Sequence, residues 1–148
     1  MNNPPEPAFS IAFLDHVAIR VADLERSAAW YGEVLGLKRY QLPKWDPFPV
    51  FMLAGKSGMA LFPARQEDPQ TDPESQNVGI DHFAFHVSRK NFDRALERYS
   101  ALNMEYEVKD HHYFLSVYTL DPDGHTVELT TLVVGEEDFY GKQTKPRS

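Results

Sequence analysis

The chain has 148 residues, enough for one domain with an apolar core that needs no disulfide or metal to hold it together. It contains no cysteine, which excludes a disulfide scaffold, a thiolate zinc site and a cysteine nucleophile. The net charge of −7, without a basic stripe, argues against nucleic acid as a partner. No apolar run is long enough to span a membrane, and the N-terminus lacks a signal pattern. We therefore expect a cytoplasmic protein that does not bind membranes.

A six-residue pattern occurs twice in the chain. The segments 14–19 (LDHVAI) and 80–85 (IDHFAF) both read apolar-Asp-His-apolar-Ala-apolar, and they place His16 and His82 66 residues apart. Similar elements follow each copy. This repetition indicates a duplicated half-domain with a site shared between the halves.

The first module is predicted from alternation and helical spacing. Residues 13–21 alternate with period two, which predicts a strand with His16 and Arg20 on one face. Asp23 can cap the following helix and Gly36 can end it. The elements expected after residue 10 are a strand at 13–21, a helix at 24–35, and strands at 37–45, 50–55 and 59–62.

The second module repeats this order after a polar linker. Residues 64–79 carry almost no apolar side chain, and we expect a mobile connection there. Ser88 or Asn91 opens the second helix, and 121–124 (DPDG) is a strong turn signal. The strands expected are 80–87, 104–109, 112–120 and 126–132, followed by a frayed tail; residues 1–10 read as a loose arm.

The chain is thus predicted to be a single α+β domain over residues 1–148. It comprises module one at 12–63, the linker at 64–79, module two at 80–132 and a tail at 133–148. Each module has the order β-α-β-β-β.

Glu128 lies in the middle of the last predicted strand, between the apolar residues Val127 and Leu129. Such a glutamate either faces solvent or points into a cavity that holds a partner. A single strand histidine is likewise more often structural than a ligand. Together, however, His16, His82 and Glu128 form a 2-His-1-carboxylate set, which suits Fe(II), Mn(II), Ni(II) or Zn(II) and leaves coordination positions open.

These features resemble the vicinal oxygen chelate superfamily. The resemblance rests on the two Asp-His strands, the segment 118–129 (YTLDPDGHTVEL) and the duplicated module, and it covers residues 12–132. The superfamily includes glyoxalase I, ring-cleaving extradiol dioxygenases, fosfomycin-resistance thiol transferases and bleomycin-resistance proteins. The resemblance implies two modules curled as a mixed sheet into a cup or half-barrel around one divalent metal, with His16, His82 and Glu128 as its ligands. It also implies a small-molecule substrate and a homodimer, with the ligands supplied by one chain or by two.

Comparison with individual members of the superfamily reduces the number of reactions expected of this chain. Glyoxalase I uses a fourth ligand on the last strand of module one, but the segment 58–63 (GMALFP) offers no oxygen or nitrogen side chain. The thiol transferases carry a serine-containing loop where this chain has 107–112 (EVKDHH). Bleomycin-binding relatives usually lack the ligand set that this chain keeps.

Two further residues favour a dioxygenase. His112 and Tyr118 are predicted to share a strand face, and ring-cleaving relatives resemble this chain in having a tyrosine ten residues before the glutamate ligand. Tyr118 would then bind a substrate oxygen, while His111 or His112 would carry a proton. A hairpin loop is the alternative place for the two histidines. Arg20 and His86 either hold an anionic substrate or pair with carboxylates.

The sequence therefore favours a metal-dependent enzyme of extradiol dioxygenase type with Fe(II) preferred, and with Tyr118 and His112 as catalytic residues. One alternative is a glyoxalase-like lyase or isomerase, or a thiol transferase, using Mn(II), Ni(II) or Zn(II). Another is a small-molecule binding protein without catalytic activity.

Overall fold

The computed structural model describes residues 7–141. The chain divides into two compact units, and the division falls between Ala64 and Arg65, where the predicted linker begins. Each unit contains one β-α-β-β-β module.

The first unit forms a four-stranded mixed sheet with one α-helix. A short 3-10 helix at Pro43–Trp45 ends the region predicted as one long strand, because Pro43 cannot donate to a strand ladder. The elements are β1 (His16–Val21), α1 (Leu24–Leu35), β2 (Lys38–Tyr40), β3 (Val50–Ala54) and β4 (Ser57–Pro63).

The second unit has the same order and adds a short helix at its end. The elements are β5 (Phe83–His86), α2 (Arg89–Ala101), β6 (Glu107–Asp110), β7 (Phe114–Leu120), β8 (Thr126–Leu132) and α3 (Glu136–Tyr140). No helix or strand lies between β4 and β5.

Both sheets have equivalent topology. The strand orders are β1-β4-β3-β2 and β5-β8-β7-β6. In each, the first strand of the module pairs parallel with the last, and the other neighbours are antiparallel. The predicted α+β class with two β-α-β-β-β modules is confirmed. The consequence for function is that each Asp-His pair lies beside the last strand of its own module.

Helix α1 has the predicted bounds because its end signals are local. The Asp23 carboxylate accepts a hydrogen bond from the backbone N–H of Arg26 at 3.0 Å. Gly36 has φ +70° and its N–H donates to the carbonyl of Gly32. Tyr31 of α1 is fully buried. In the second unit Ser88 caps α2, as predicted.

Two strands begin later than predicted, at His16 and Phe83 rather than at residues 13 and 80. A strand needs a partner, and pairing of β1 starts where His16 faces Gly58. Pairing of β5 starts where Phe83 faces Val127, just after the turn before β8. The predicted alternation was correct, but hydrogen-bonded pairing with the neighbouring strand covers only part of each alternating segment.

The hairpin between β6 and β7 also differs from the prediction. The strand predicted at 112–120 begins at Phe114, and residues 111–113 form the loop. His112 has φ +69° and an exposed side chain, so it lies in this loop and not on the face of Tyr118. The prediction that His112 and Tyr118 share a strand face was therefore wrong.

The tail was predicted to be frayed after Val134, but residues 136–140 form α3. Its Phe139 ring contacts Tyr113 and Phe114, with ring centroids 6.3 Å and 6.2 Å apart. These contacts explain the local order. The ends of the predicted arm and tail, residues 1–6 and 142–148, lie outside the described residues. Within residues 7–141, none of the helices has both the length and the apolar character that crossing a bilayer requires.

Candidate metal centre

The repeated Asp-His dipeptide has the same geometry in both units. In the first unit Nδ1 of His16 lies 2.7 Å from the carboxylate of Asp15. In the second, Nδ1 of His82 lies 2.7 Å from the carboxylate of Asp81. An aspartate that accepts the Nδ1 proton leaves a lone pair on Nε2, the usual arrangement for a metal-binding imidazole.

Glu128 stands beside the free nitrogen of His82. The residue is only 5% exposed, although glutamate is seldom buried without a partner. Its Oε1 lies 3.5 Å from Nε2 of His82. That separation is long for a hydrogen bond, but two ligand atoms each about 2.1 Å from one ion would lie roughly 3–3.5 Å apart.

Strand register explains why these side chains meet. On β8, Glu128 is opposite Ala84 of β5 and opposite Tyr118 of β7, so the three residues share one face. His82 immediately precedes β5, two residues before Ala84, and lies on the same side. The structure therefore buries Glu128 on the face shared with His82 and Tyr118 and does not place it at the solvent-exposed position that was the alternative.

The predicted ligands are histidine and carboxylate side chains, which suit a divalent ion. The second unit brings together two of the three predicted ligands, His82 and Glu128. His16 is held in the first unit with its Nε2 available in the same way. Residues 7–141 contain no group of three or more histidine, cysteine, aspartate or glutamate side chains placed to hold a metal. The three-ligand set thus stays a prediction.

The last strand of module one adds no ligand from its ordered side chains. It begins two residues earlier than the strand predicted at 59–62, at Ser57, whose hydroxyl donates to the carbonyl of Leu14 at 2.6 Å. That hydroxyl is therefore occupied in holding the segment before His16.

Tyr118 contacts both Glu128 and His111. The sequence alone did not show which of the adjacent histidines, His111 or His112, lies beside Tyr118. Burial, and then a hydrogen bond to Glu128, raise the pKa of Tyr118 to about 12. The phenol therefore keeps its proton at neutral pH. Its oxygen lies 2.9 Å from Nε2 of His111. His111, rather than His112, is the imidazole beside Tyr118.

A cavity of about 520 Å³ opens next to His82 and Tyr118 within the second unit. Its wall includes the charged side chains of Glu105, Glu107 and Lys109. The Lys109 ammonium lies 5.3 Å from the centre of the Tyr118 ring. Such a volume is in the range of small-molecule sites. The predicted strand at 104–109 contains all three wall residues on one face, but alternation alone could not show that this face borders a cavity.

The turn before β8 is held by Asp121. Its carboxylate accepts from the backbone N–H groups of Asp123 and His125, and it also contacts Nδ1 of His125 at 2.8 Å. The hydrogen bond to buried Asp121 raises the pKa of His125 above its usual value. These contacts fix the start of the strand that carries Glu128.

We expect the stabilising effect of His125 to depend on pH. Because its pKa is higher in the folded than in the unfolded protein, the stabilisation is complete below about pH 6.5 and is lost as pH rises through the folded-state value. His125→Gln should therefore lower the free energy of unfolding by about 1 kcal/mol at pH 5.5 and by less at pH 8.5. Urea unfolding at both values measures this.

Replacing His112, whose side chain is exposed, by asparagine provides the control, and its effect on stability should be small at both pH values. A loss for His125→Gln that is constant or larger at pH 8.5 would contradict the proposed ionic contact with Asp121.

Two β-α-β-β-β modules, each presenting an Asp-held histidine, with a buried glutamate beside one of them, define a class of proteins built from a duplicated half-domain. The family model for the Glyoxalase/Bleomycin resistance protein/Dioxygenase superfamily matches residues 13–129. The chain belongs to this superfamily.

Relatives with named activities include two transferases. The chain is 29% identical over 142 residues to metallothiol transferase FosB of Staphylococcus saprophyticus, covering 92% of this chain and 87% of the relative. It is 29% identical over 118 residues to glutathione transferase FosA of Serratia marcescens, covering 78% of each. The crystal structure of a glyoxalase/dioxygenase from Nostoc punctiforme matches with a TM-score of 0.73 at 20% identity, over 90% of this chain and all of that one. At that identity the match shows the fold.

Proposed function

We propose that this chain is a divalent-metal-dependent enzyme acting on a small molecule, with His16, His82 and Glu128 as the metal ligands. The observation that carries the proposal is the buried Glu128 carboxylate beside the free Nε2 of His82. The identical Asp15–His16 pair supports the third ligand. When bound, the ion would supply Lewis-acid polarisation of substrate oxygens.

The chain's own groups would orient the substrate and handle a proton. Tyr118 keeps its phenol proton, which it donates to Glu128 when no metal is bound, and it would turn this proton to a substrate oxygen in the adjoining cavity once Glu128 holds the ion. His111, whose Nε2 lies 2.9 Å from the phenol oxygen, is placed to pass a proton to or from it. Both residues lie in the second unit, so this arrangement depends on β6, β7 and β8 alone.

Thiol transfer is the reaction class we place first. It is favoured by the two relatives whose names describe thiol or glutathione transfer and which align over most of this chain. The cavity offers room for a second reactant beside His82. The segment 107–112 stands where the thiol transferases have a serine-containing loop, so this chain departs from them at that position.

Ring-cleaving dioxygenation is the second candidate. The specific observation in its favour is the 2.9 Å contact between His111 and Tyr118, a donor-acceptor pair next to the carboxylate ligand. This reading uses the same metal ligands and prefers Fe(II). A homodimer is part of both proposals.

The test uses the full-length protein loaded anaerobically with Fe(II) or Mn(II). Bound metal is measured by elemental analysis, thiol consumption with fosfomycin and other electrophiles by a thiol titration, and oxygen uptake with a panel of catechols by an electrode. We expect about one metal ion per chain and metal-dependent thiol consumption. Oxygen uptake without thiol consumption would favour the dioxygenase, and no metal binding in any preparation would refute the proposal.

A further inference from the structure

The sheet face that carries His16 differs in chemistry from the equivalent face of the second unit. On that face of the first unit, Ala60 of β4 is opposite Ala18 of β1 and Phe51 of β3. The equivalent positions of the second unit, opposite each other on β8 and β7, are Glu128 and Tyr118. The polar pair of one unit is thus replaced by an apolar pair in the other.

Aromatic rings gather around this apolar face. The ring centroids of His16 and Phe51 are 5.0 Å apart, and Trp45 stacks on Phe51 at 4.9 Å with an angle of 29° between the planes. On the other side Phe48 meets Phe62 edge-on at 6.2 Å. Trp45, Phe51 and Phe62 are half-buried, so part of each ring remains available to a ligand.

The open surface between the two aromatic groups is formed by Ala18, because the small residues beside it on β4, Gly58 and Ala60, are buried. Ala18 is opposite Ala60, and the neighbouring pair on the same face is His16 opposite Gly58. Ala18 is exposed, although both adjoining aromatic groups are only half-exposed. Small side chains between larger ones leave room for a flat group to lie on the sheet.

Arg20 ends this face with a positive charge. Its guanidinium lies 5.2 Å from the centre of the Phe62 ring, and one N–H donates to the carbonyl of Pro63 at 3.0 Å. The sequence left open whether Arg20 pairs with a neighbouring carboxylate, and the partner found is this carbonyl. A guanidinium has five N–H donors in a planar fork, so donors remain for a carboxylate.

We infer that the substrate of the proposed reaction is an aryl carboxylate, with its ring on Ala18 between the aromatic groups and its carboxylate on Arg20. Four strand steps separate His16 from Arg20, about 13 Å between Cα atoms. A ligand that reaches both needs the length of a substituted aromatic ring. The inference rests on the proposed function for the reaction, but the binding face belongs to the first unit alone.

The test measures binding of 3-phenylpropanoate to the metal-free, full-length protein at pH 8, where ordinary histidines are neutral. Calorimetry and tryptophan fluorescence report on it. We expect a Kd below about 1 mM, with 3-phenylpropanamide and butyrate each at least about tenfold weaker, because one lacks the charge and the other the ring. Arg20→Gln should weaken binding of the acid about tenfold and leave the amide unchanged.

Arg39→Gln is the matched control. Arg39 is on the opposite sheet face, in register with Met52, and both its terminal nitrogens bond to Glu25 at 2.7 and 2.8 Å. Equal affinity for acid and amide, full affinity in Arg20→Gln, or no binding of the acid would each overturn the inference. If the acid binds as expected and metal does not, the proposed function fails while this binding face stands.

Discussion

Glu128→Gln is expected to lower the affinity for a divalent metal by at least about 100-fold, since loss of a ligand should exceed the 10- to 100-fold effect of an outer contact. The amide has nearly the shape of the carboxylate and can still accept a hydrogen bond from Tyr118, but it lacks the charge. In the metal-free protein, the substitution should leave stability unchanged or raise it, because a buried carboxylate near neutral groups is costly. Calorimetric titration with Mn(II) and thermal unfolding with and without the metal measure both effects.

Glu107→Gln provides the control, since it makes the same change of charge on a neighbouring strand. Glu107 is in register with Tyr118 but is exposed. It should keep metal affinity and the metal-dependent rise in unfolding temperature. Equal metal affinity in wild type and Glu128→Gln would remove Glu128 from the ligand set. Lost affinity together with a large loss of stability in the metal-free variant would instead indicate a structural role.

The elements that the sequence predicted best are those specified by local chemistry. Asp23 and Gly36 set both ends of α1 through contacts with residues three or four positions away. The turn at 121–124 is likewise local, and β8 begins and ends as predicted because it follows that turn directly. The repeat itself made the module order predictable, since the same pattern gives the same fold twice.

The elements that the sequence did not predict depend on partners distant in the chain. The start of β1 is fixed by Ser57 and Gly58, about 40 residues later, and alternation alone cannot reveal where pairing begins. The same limit misplaced His112. A hairpin loop can interrupt the alternation of a strand without changing the pattern of apolar residues. Here the exposed loop contains His112, while His111 lies beside Tyr118.

For the candidate site, too, local features could be predicted from the sequence, whereas features that depend on strand pairing could not. The repeated Asp-His dipeptide could be seen in the sequence, but the role of Asp15 and Asp81 in holding Nδ1 emerged only from the structure. The absence of a ligand on the last strand of module one was predictable. The first unit has Ala60 and Phe51 at the register position where the second unit has Glu128 and Tyr118. This correspondence could be recognised only once the strand pairing was known.

Gly58→Ala is expected to destabilise the protein by about 3 kcal/mol. A β-carbon at this position would overlap the carbonyl oxygen of Met52 and lie 2.9 Å from the α-carbon of Leu53, both in the backbone of the adjacent strand. No side-chain rotation can relieve a clash with backbone, so β3 and β4 must separate. Urea unfolding measures the loss.

The position of Gly58 links this change to the proposed metal centre. Gly58 is opposite His16, and its N–H donates to the carbonyl of Asp15 at 3.2 Å. A shift of β4 therefore moves the Asp15–His16 pair, and metal affinity should fall with stability. Gly32→Ala is the control, because its β-carbon would meet nothing closer than 3.7 Å and alanine favours the helix by up to about 1 kcal/mol. A Gly58→Ala protein as stable as wild type would show that the two strands can separate freely, and it would remove the reason for a glycine beside His16.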